Sequence, residues 1–200
     1  MKDVVVNHLM NSVTKYKNYD QIKLKEIKYG IESFYLTITK TLVIFGIAYL
    51  LGIFKTFALF MLFYTLLRTN GAGLHAKKSW QCWIGSILSF LTIPYFCTHI
   101  FISKQIMFLV SFLCLILIFI YSPADTEKKP IINPTKRKVH KILCVITTII
   151  YILLITFLQN NDLCNIIFFS IILQTVLILP ISYKIFGLSY DNYKNYQQQV

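Results

Sequence analysis

Between residues 34 and 186 the chain is a succession of long apolar blocks, set apart by short stretches in which the cations collect. A bilayer core offers no water to backbone N–H and C=O groups, so such a chain crosses lipid only as helices or as a closed barrel. The strand-like alternation and regular turns of a barrel are missing, which leaves helices. Composition agrees: 56% of the 200 residues are apolar before the seven glycines are added, against about 45–50% for both together in soluble domains. This excess of apolar residues, with only 20 cations and 8 acids, excludes a disordered chain, a collagen and a disulfide-stapled mini-protein.

The expected fold is therefore all-α, a polytopic integral membrane protein. Six spans are expected, at Leu36–Leu51, Ile53–Leu67, Trp83–His99, Gln105–Tyr121, Val139–Leu158 and Leu163–Phe186. The first two are short of the ~20 residues that cross ~30 Å of hydrocarbon, and they thin the bilayer or form a hairpin turning near Gly52 and Lys55. Pro94 and Pro180 should kink spans three and six. Gln174, the most polar residue deep in span six, reads first as a helix-to-helix hydrogen bond and second as a substrate contact. Three regions follow: amphipathic helices over 1–33, a transmembrane domain over 34–186 and a tail over 187–200.

A net charge of +12 could be a nucleic-acid footprint, but the cations avoid the apolar blocks and sort by side. With six spans, 17 of the 20 cations lie on the side of the termini and of the loops after spans two and four. Only Lys55 and Lys104 lie opposite, and Lys40 lies within span one. The positive-inside rule then puts both termini and both basic loops in the cytosol, and no nucleic-acid partner is needed. The amino terminus does not read as a cleavable signal peptide, because the first sustained apolar block starts only near residue 36. Instead Val6, Leu9 or Met10, Val13 and Tyr16, then Leu24, Ile27, Ile31 and Phe34, recur at helical spacing among lysines. Such amphipathic helices lie on the inner leaflet or pack on the cytosolic face of the bundle.

Five cysteines form an odd set with no Cys-x-x-Cys pair, which does not indicate a disulfide framework. Cys97, Cys114, Cys144 and Cys164 lie in or at the ends of spans, where a thiol behaves as a small hydrophobe. Cys82 differs, because it follows the polar stretch from Asn70 to Gln81, which also holds His75. Three features favour its thiolate: Ser79 can cap the start of span three, Lys77 and Lys78 add positive potential, and His75 can accept the proton. On one straight helix the two side chains would stand about 10.5 Å apart along the axis, so the chain must bend between them. Gly71 and Gly73 suit a turn before His75. A catalytic pair and an unrelated loop histidine beside an interfacial cysteine both remain open on spacing alone. No metal site is expected, since Zn²⁺ needs three or four ligands and no further cluster lies nearby. No other cofactor is implied.

The string Arg68-Thr69-Asn70-Gly71-Ala72-Gly73-Leu74-His75-Ala76, with Cys82 seven residues beyond the histidine, resembles the accessory gene regulator B family of Gram-positive quorum-sensing systems. The segment from Tyr121 to Ile131, with Pro123, Asp125, Glu127, Lys128, Lys129 and Pro130, is similar to that family's Lys-rich cytosolic loop. The resemblance implies a cysteine endopeptidase of the bacterial cell membrane, homodimeric, whose substrate is the precursor of an autoinducing peptide. It implies that Cys82 attacks the bond before a charged tail, that His75 is base and acid, and that an internal Cys or Ser then closes a thiolactone or lactone. Asp125 or Glu127 could orient His75 if the cytosolic loops meet, or simply be solvated. Arg68 could bind a substrate carboxylate or the oxyanion, or snorkel to headgroups. Lys128 and Lys129, with four further cations up to Lys141, could steer an acidic precursor tail or serve as a lipid anchor. The competing reading is a non-catalytic channel or exporter for a small peptide, without a nucleotide-binding loop.

Overall fold

The structure, a computed structural model, describes residues 2–16, 21–74, 79–126 and 131–194. Its elements are α1 (Lys2–Tyr16), α2 (Gln21–Leu50), α3 (Phe54–Gly71), α4 (Ser79–Ile87), a π-helical turn (Leu88–Thr92), α5 (Ile93–Cys97), α6 (Lys104–Tyr121), α7 (Pro134–Phe157), α8 (Asn161–Ile178) and α9 (Pro180–Ile185). The described chain is all-helical apart from loops and one isolated β-bridge. It divides into two units, Met1–Leu51 and Gly52–Val200.

In the first unit α1 packs on α2. The amphipathic stretch expected up to residue 33 does not end there. No proline interrupts residues 21–50, and an interior glycine such as Gly30 costs a helix only about 1 kcal/mol, so α2 runs unbroken into the first apolar block.

In the second unit α8 is the central helix. Five consecutive residues, Cys164 to Phe168, are buried, which places neighbours on every side of it. Helices α3, α6 and α7 pack around it, and their buried residues Leu67, Met107, Ile118 and Ile155 meet Ile167, Ile171 and Ile178. The outward faces of α6 and α7 expose Leu109, Leu113, Phe119, Ile120, Ile142, Ile146 and Leu153. A helix apolar on its outer face is built for lipid rather than water.

Among the described residues, four helices are long and apolar enough to cross a membrane: residues 30–50 of α2, then α6, α7 and α8. The second and third expected spans correspond to α3, which carries Lys55 and Arg68, and to the continuous helix made by α4, the π turn and α5. Six crossings is thus the sequence expectation, and four is the number of helices among the described residues that meet the length and apolarity of a span.

Both prolines interrupt helices for the same physical reason: each lacks an N–H and crowds the carbonyl four residues back. Ahead of Pro94 the backbone widens into the π turn over Leu88–Thr92. At Pro180 α8 stops and α9 restarts after Leu179. The Val176 carbonyl, which Pro180 cannot serve, accepts from the Ser182 hydroxyl instead. Polar ties between helices complete the bundle: Asn165 Nδ2 donates to the Cys97 and Ile100 carbonyls, each at 2.8 Å, and the Tyr151 hydroxyl donates to the Phe63 carbonyl at 2.8 Å. The Asn133 side chain caps α7 by accepting from Thr135 and Lys136 N–H, and Pro134 fits the first turn, which has no N–H to lose.

Candidate active site

The centre of the site is the short loop that leaves α3 at Gly71. Its backbone cannot continue as helix. Ala72 has φ 52° and Gly73 has φ 125°, the latter a conformation that L side chains rarely adopt. A non-glycine residue held like Ala72 costs on the order of 1–3 kcal/mol and persists only where surrounding contacts over-determine it. Here they do. The Arg68 guanidinium, one turn back on α3, folds over the loop and donates to the carbonyls of Ala72 at 2.7 Å, Gly73 at 3.2 Å and Leu74 at 2.7 Å. Gln174 of α8, fully buried, donates from Nε2 to the Ala72 carbonyl at 2.9 Å.

Two backbone partners pin the loop from either side. Leu74 N–H donates to the Leu177 carbonyl at 2.9 Å. That carbonyl is available because the Pro180 break ends α8 before Ile181 could claim it. On the other side Gly73 N–H donates to the Ala124 carbonyl at 2.7 Å and Ala124 N–H donates to the Gly71 carbonyl at 3.1 Å, forming a parallel bridge between Ala72 and Ala124. The fit leaves no room for side chains at the glycines. A Cβ on Gly71 would stand 2.3 Å from Gln174 Nε2, and one on Gly73 would stand 2.2 Å from Arg68 Nη1 and 2.9 Å from the Leu177 oxygen.

The segment that receives the loop is itself anchored. The Tyr183 hydroxyl, on α9, donates to the carbonyls of Ala124 and Asp125 at 3.2 and 3.0 Å. The buried Asp125 carboxylate accepts from the backbone N–H of Asn192 at 3.1 Å, Tyr193 at 3.0 Å and Ile131 at 3.3 Å. It also pairs with Arg137 at 3.7 Å, and that guanidinium stacks 3.5 Å above the Tyr193 ring. Burial, and next the neighbouring Asp191, raise the Tyr190 hydroxyl to a pKa of about 12.

Of the sequence-predicted residues, Arg68, Gly71 and Gly73 come together in this loop. Arg68 spends its donors on loop carbonyls, a use that neither sequence reading anticipated. Gln174 makes its hydrogen bond to the loop backbone. Asp125 lies beside the loop through Ala124, with its carboxylate turned to the chain's last segment. Helix α4 begins at Ser79, so Cys82 occupies its first turn, half-buried, whereas Cys97, Cys114, Cys144 and Cys164 are buried in the bundle. His75, Lys77, Lys78, Glu127, Lys128 and Lys129 lie outside the described residues, as does the side chain of Ser79. Among the described residues no group of three or more His, Cys, Asp or Glu side chains could hold a metal ion. Sequence reasoning missed Tyr183, Asn192 and Tyr193, and read Arg137 only as one cation of the basic loop. A trace of them was present, since Tyr190 and Tyr193 are aromatic residues in an otherwise polar tail.

The family model described as Accessory gene regulator B matches residues 6–178. The chain belongs to the accessory gene regulator B family. A Putative AgrB-like protein of Clostridium acetobutylicum is 28% identical over 189 residues, covering 94% of this chain and 90% of the relative. Accessory gene regulator protein B of Staphylococcus aureus strain JH9 is 31% identical over 180 residues, covering 90% of this chain and 95% of the relative. The same protein from strain MRSA252 is 29% identical over 182 residues. No solved structure matches the chain. Family membership places the protein in an accessory gene regulator system, the class associated with quorum sensing, and its helices give it the character of a membrane protein. The family match spans both glycines of the loop, the segment around Ala124 and all of α8, the three parts that meet at the clamp.

Proposed function

We propose that the chain is a cysteine endopeptidase of the bacterial cell membrane that cleaves the C-terminal tail from an autoinducing-peptide precursor and promotes cyclisation of the remainder. The observation that carries this reading is Cys82. It is the one cysteine of the five outside the buried core, and it lies at the start of α4, where a substrate carbonyl can reach its sulfur. The second support is the clamped loop. Leu74, the residue before His75, is held by Leu177 at its N–H and by Arg68 at its carbonyl.

In this mechanism His75 takes the Cys82 proton, and the thiolate adds to the carbonyl carbon at the end of the future signal. The C–N bond then breaks, the imidazolium returns the proton to the departing amine, and an acyl-thioester remains on Cys82. An internal precursor thiol gives its proton to His75 and attacks that thioester. The acyl carbon's bond to Cys82 breaks, its sulfur is reprotonated, and a thiolactone closes; a serine hydroxyl in the same role gives a lactone. The thioester conserves the reactivity that hydrolysis would waste, so exclusion of water at the bilayer edge matters. Arg68, Gly71 and Gly73 position the segment leading into His75. Lys77 and Lys78 stabilise the anionic sulfur, Ser79 supports the start of α4, and Lys128 and Lys129 attract the precursor's acidic tail. The termini and this loop face the cytosol, and the chain works as a homodimer.

Co-expression with the candidate precursor tests the reading. Cys82→Ser and His75→Ala should each abolish tail removal while leaving membrane insertion intact, and mass spectrometry should find the acyl group on Cys82 of the parent protein. Continued cleavage by Cys82→Ser overturns the proposal. An exporter would leave precursor length unchanged even with the parent protein.

A further inference from the structure

Away from the loop, a cleft of about 550 Å³ opens where α6 ends and α7 begins, closed on its third side by the chain's last described segment. Its walls carry Arg137, Lys138 and Lys141 from the first two turns of α7, and Tyr121, Tyr190 and Tyr193. One acid, Asp191, also lines it, and that carboxylate is already paired with Lys194. Arg137 is compensated by Asp125 and Asp191. Lys138 and Lys141 form no ion pair among the described residues. The cleft is therefore net positive and equipped for an anion.

Two features decide which anion. The cleft lies at the ends of two helices that meet the length and apolarity of a membrane span, with tyrosines at that level, which is where headgroups begin. Its wall also runs into the lipid-facing surface: Ile120 lines it with 56% of its surface exposed, and the neighbouring Phe119 is 59% exposed. Lys141 lines the cleft and holds its Nζ 4.8 Å over the Phe119 ring, so this charge lies where the cleft meets the apolar flank. A soluble anion or an acidic peptide would use the cations and leave the apolar flank idle. The geometry points to a binding site for the phosphate of an anionic phospholipid, whose headgroup occupies the cleft between Lys138, Lys141 and the tyrosines while its acyl chains lie along Phe119 and Ile120. Basic recesses between spanning helices recognise such headgroups by the same combination of charge and depth. The site involves no step of precursor processing, so its test needs no precursor and stands apart from the proposed peptidase activity.

Native mass spectrometry of the full chain in neutral detergent reads the site directly. Dioleoyl phosphatidylglycerol should be retained more tightly than dioleoyl phosphatidylcholine, and the double variant Lys138→Gln, Lys141→Gln should lose about 30-fold in phosphatidylglycerol affinity. The variant Lys138→Arg, Lys141→Arg should keep it. Lys136→Gln with Lys184→Gln removes the same charge outside the cleft and should change affinity less than about 3-fold. Equal losses from the two glutamine pairs would mean a diffuse surface potential and would overturn the site. Glycerol phosphate binding as tightly as the whole lipid would overturn its membrane source, as would hexaglutamate displacing bound phosphatidylglycerol at equal concentration. A glutamine pair that loses helicity by circular dichroism is replaced by Ile120→Asp, which puts a like charge against the lipid phosphate and must also abolish the preference if the site exists.

Discussion

Adding one methyl group to the loop, in Gly73→Ala, should separate the clamp from the rest of the bundle. The new Cβ would fall 2.2 Å from Arg68 Nη1 and 2.9 Å from the Leu177 oxygen, at φ 125°. The backbone strain alone costs about 1–3 kcal/mol. The Leu177 oxygen is main chain at the end of the central helix and cannot yield, so the guanidinium must. Displacing it breaks at least the 2.7 Å bond to Ala72, and hydrogen bonds to charged groups are worth roughly 1.5–3 kcal/mol each. Together these weigh about 2.5–6 kcal/mol against the seated loop, which at 1.4 kcal/mol per tenfold shifts its equilibrium by roughly 10² to 10⁴.

The bundle core lies outside this collision, so the effect should be local. Precursor conversion in proteoliposomes should fall at least ~100-fold, and amide hydrogen exchange should accelerate at Gly73, Leu74 and Ala124, while α6, α7 and α8 keep their protection. Gly46→Ala is the control, because a Cβ there meets nothing within 4 Å and needs no special φ. Parent-like conversion and exchange in Gly73→Ala would refute the clamp as a functional element.

Other tests address the surroundings of the loop. Gly71→Ala brings a Cβ to 2.3 Å from Gln174 Nε2, the end of a flexible side chain, so Gln174→Ala in the same chain should restore most of the lost activity; a double-mutant coupling below about 0.5 kcal/mol would count against that contact. Asp125→Asn removes a buried charge that accepts three backbone N–H bonds and leaves Arg137 paired with Asp191 alone; weakening hydrogen bonds to a charged group should cost roughly 1.5–3 kcal/mol. The amides of Asn192 and Tyr193 should then exchange freely and the chain should become cleavable beyond Leu188, and unchanged protection would contradict the assignment. The Tyr190 hydroxyl, raised to about 12 chiefly by burial, stabilises the fold as the neutral phenol. That contribution is complete below the ordinary tyrosine pKa near 10 and is lost as pH rises from there towards 12. Absorbance of the phenolate at 295 nm should show that Tyr190→Phe removes one phenol from the component titrating near pH 12, and an unchanged amplitude there would assign it elsewhere.

The sequence carried the helices and the loop well because both are written locally. Apolar blocks are read directly against the requirements of lipid, and two glycines around Ala72 announce a turn whatever surrounds it. The two prolines marked where helices break, but not what the breaks are for. Leu177 shows why. Its contribution is a main-chain carbonyl left over by Pro180, and no side chain records which distant N–H will take it. The Arg68 clamp was illegible for a related reason: an arginine at the end of a span reads equally as a headgroup contact or a substrate contact, and only the chain's return within six residues offers it three carbonyls.

A non-helical segment beside spanning helices must find a partner for each polar backbone group, or lose several kcal/mol per group. Here the 71–74 loop meets that demand from four sources: a guanidinium on its own helix, the end of a broken helix, the Ala124 strand-like bridge, and the buried Gln174 amide. The third source is the least self-sufficient, because Ala124 and Asp125 are held in turn by Tyr183 and by the backbone of Asn192 and Tyr193. The final described segment is thus a support of the loop at one remove. The consequence is directional. Loosening the tail through Asp125→Asn should weaken the seat of the loop, whereas loosening the loop through Gly73→Ala should leave the Asn192 and Tyr193 amides protected, since Arg137 and Tyr183 hold that end independently. Reciprocal loss of protection in both variants would show one cooperative unit instead of a loop resting on a separately folded support.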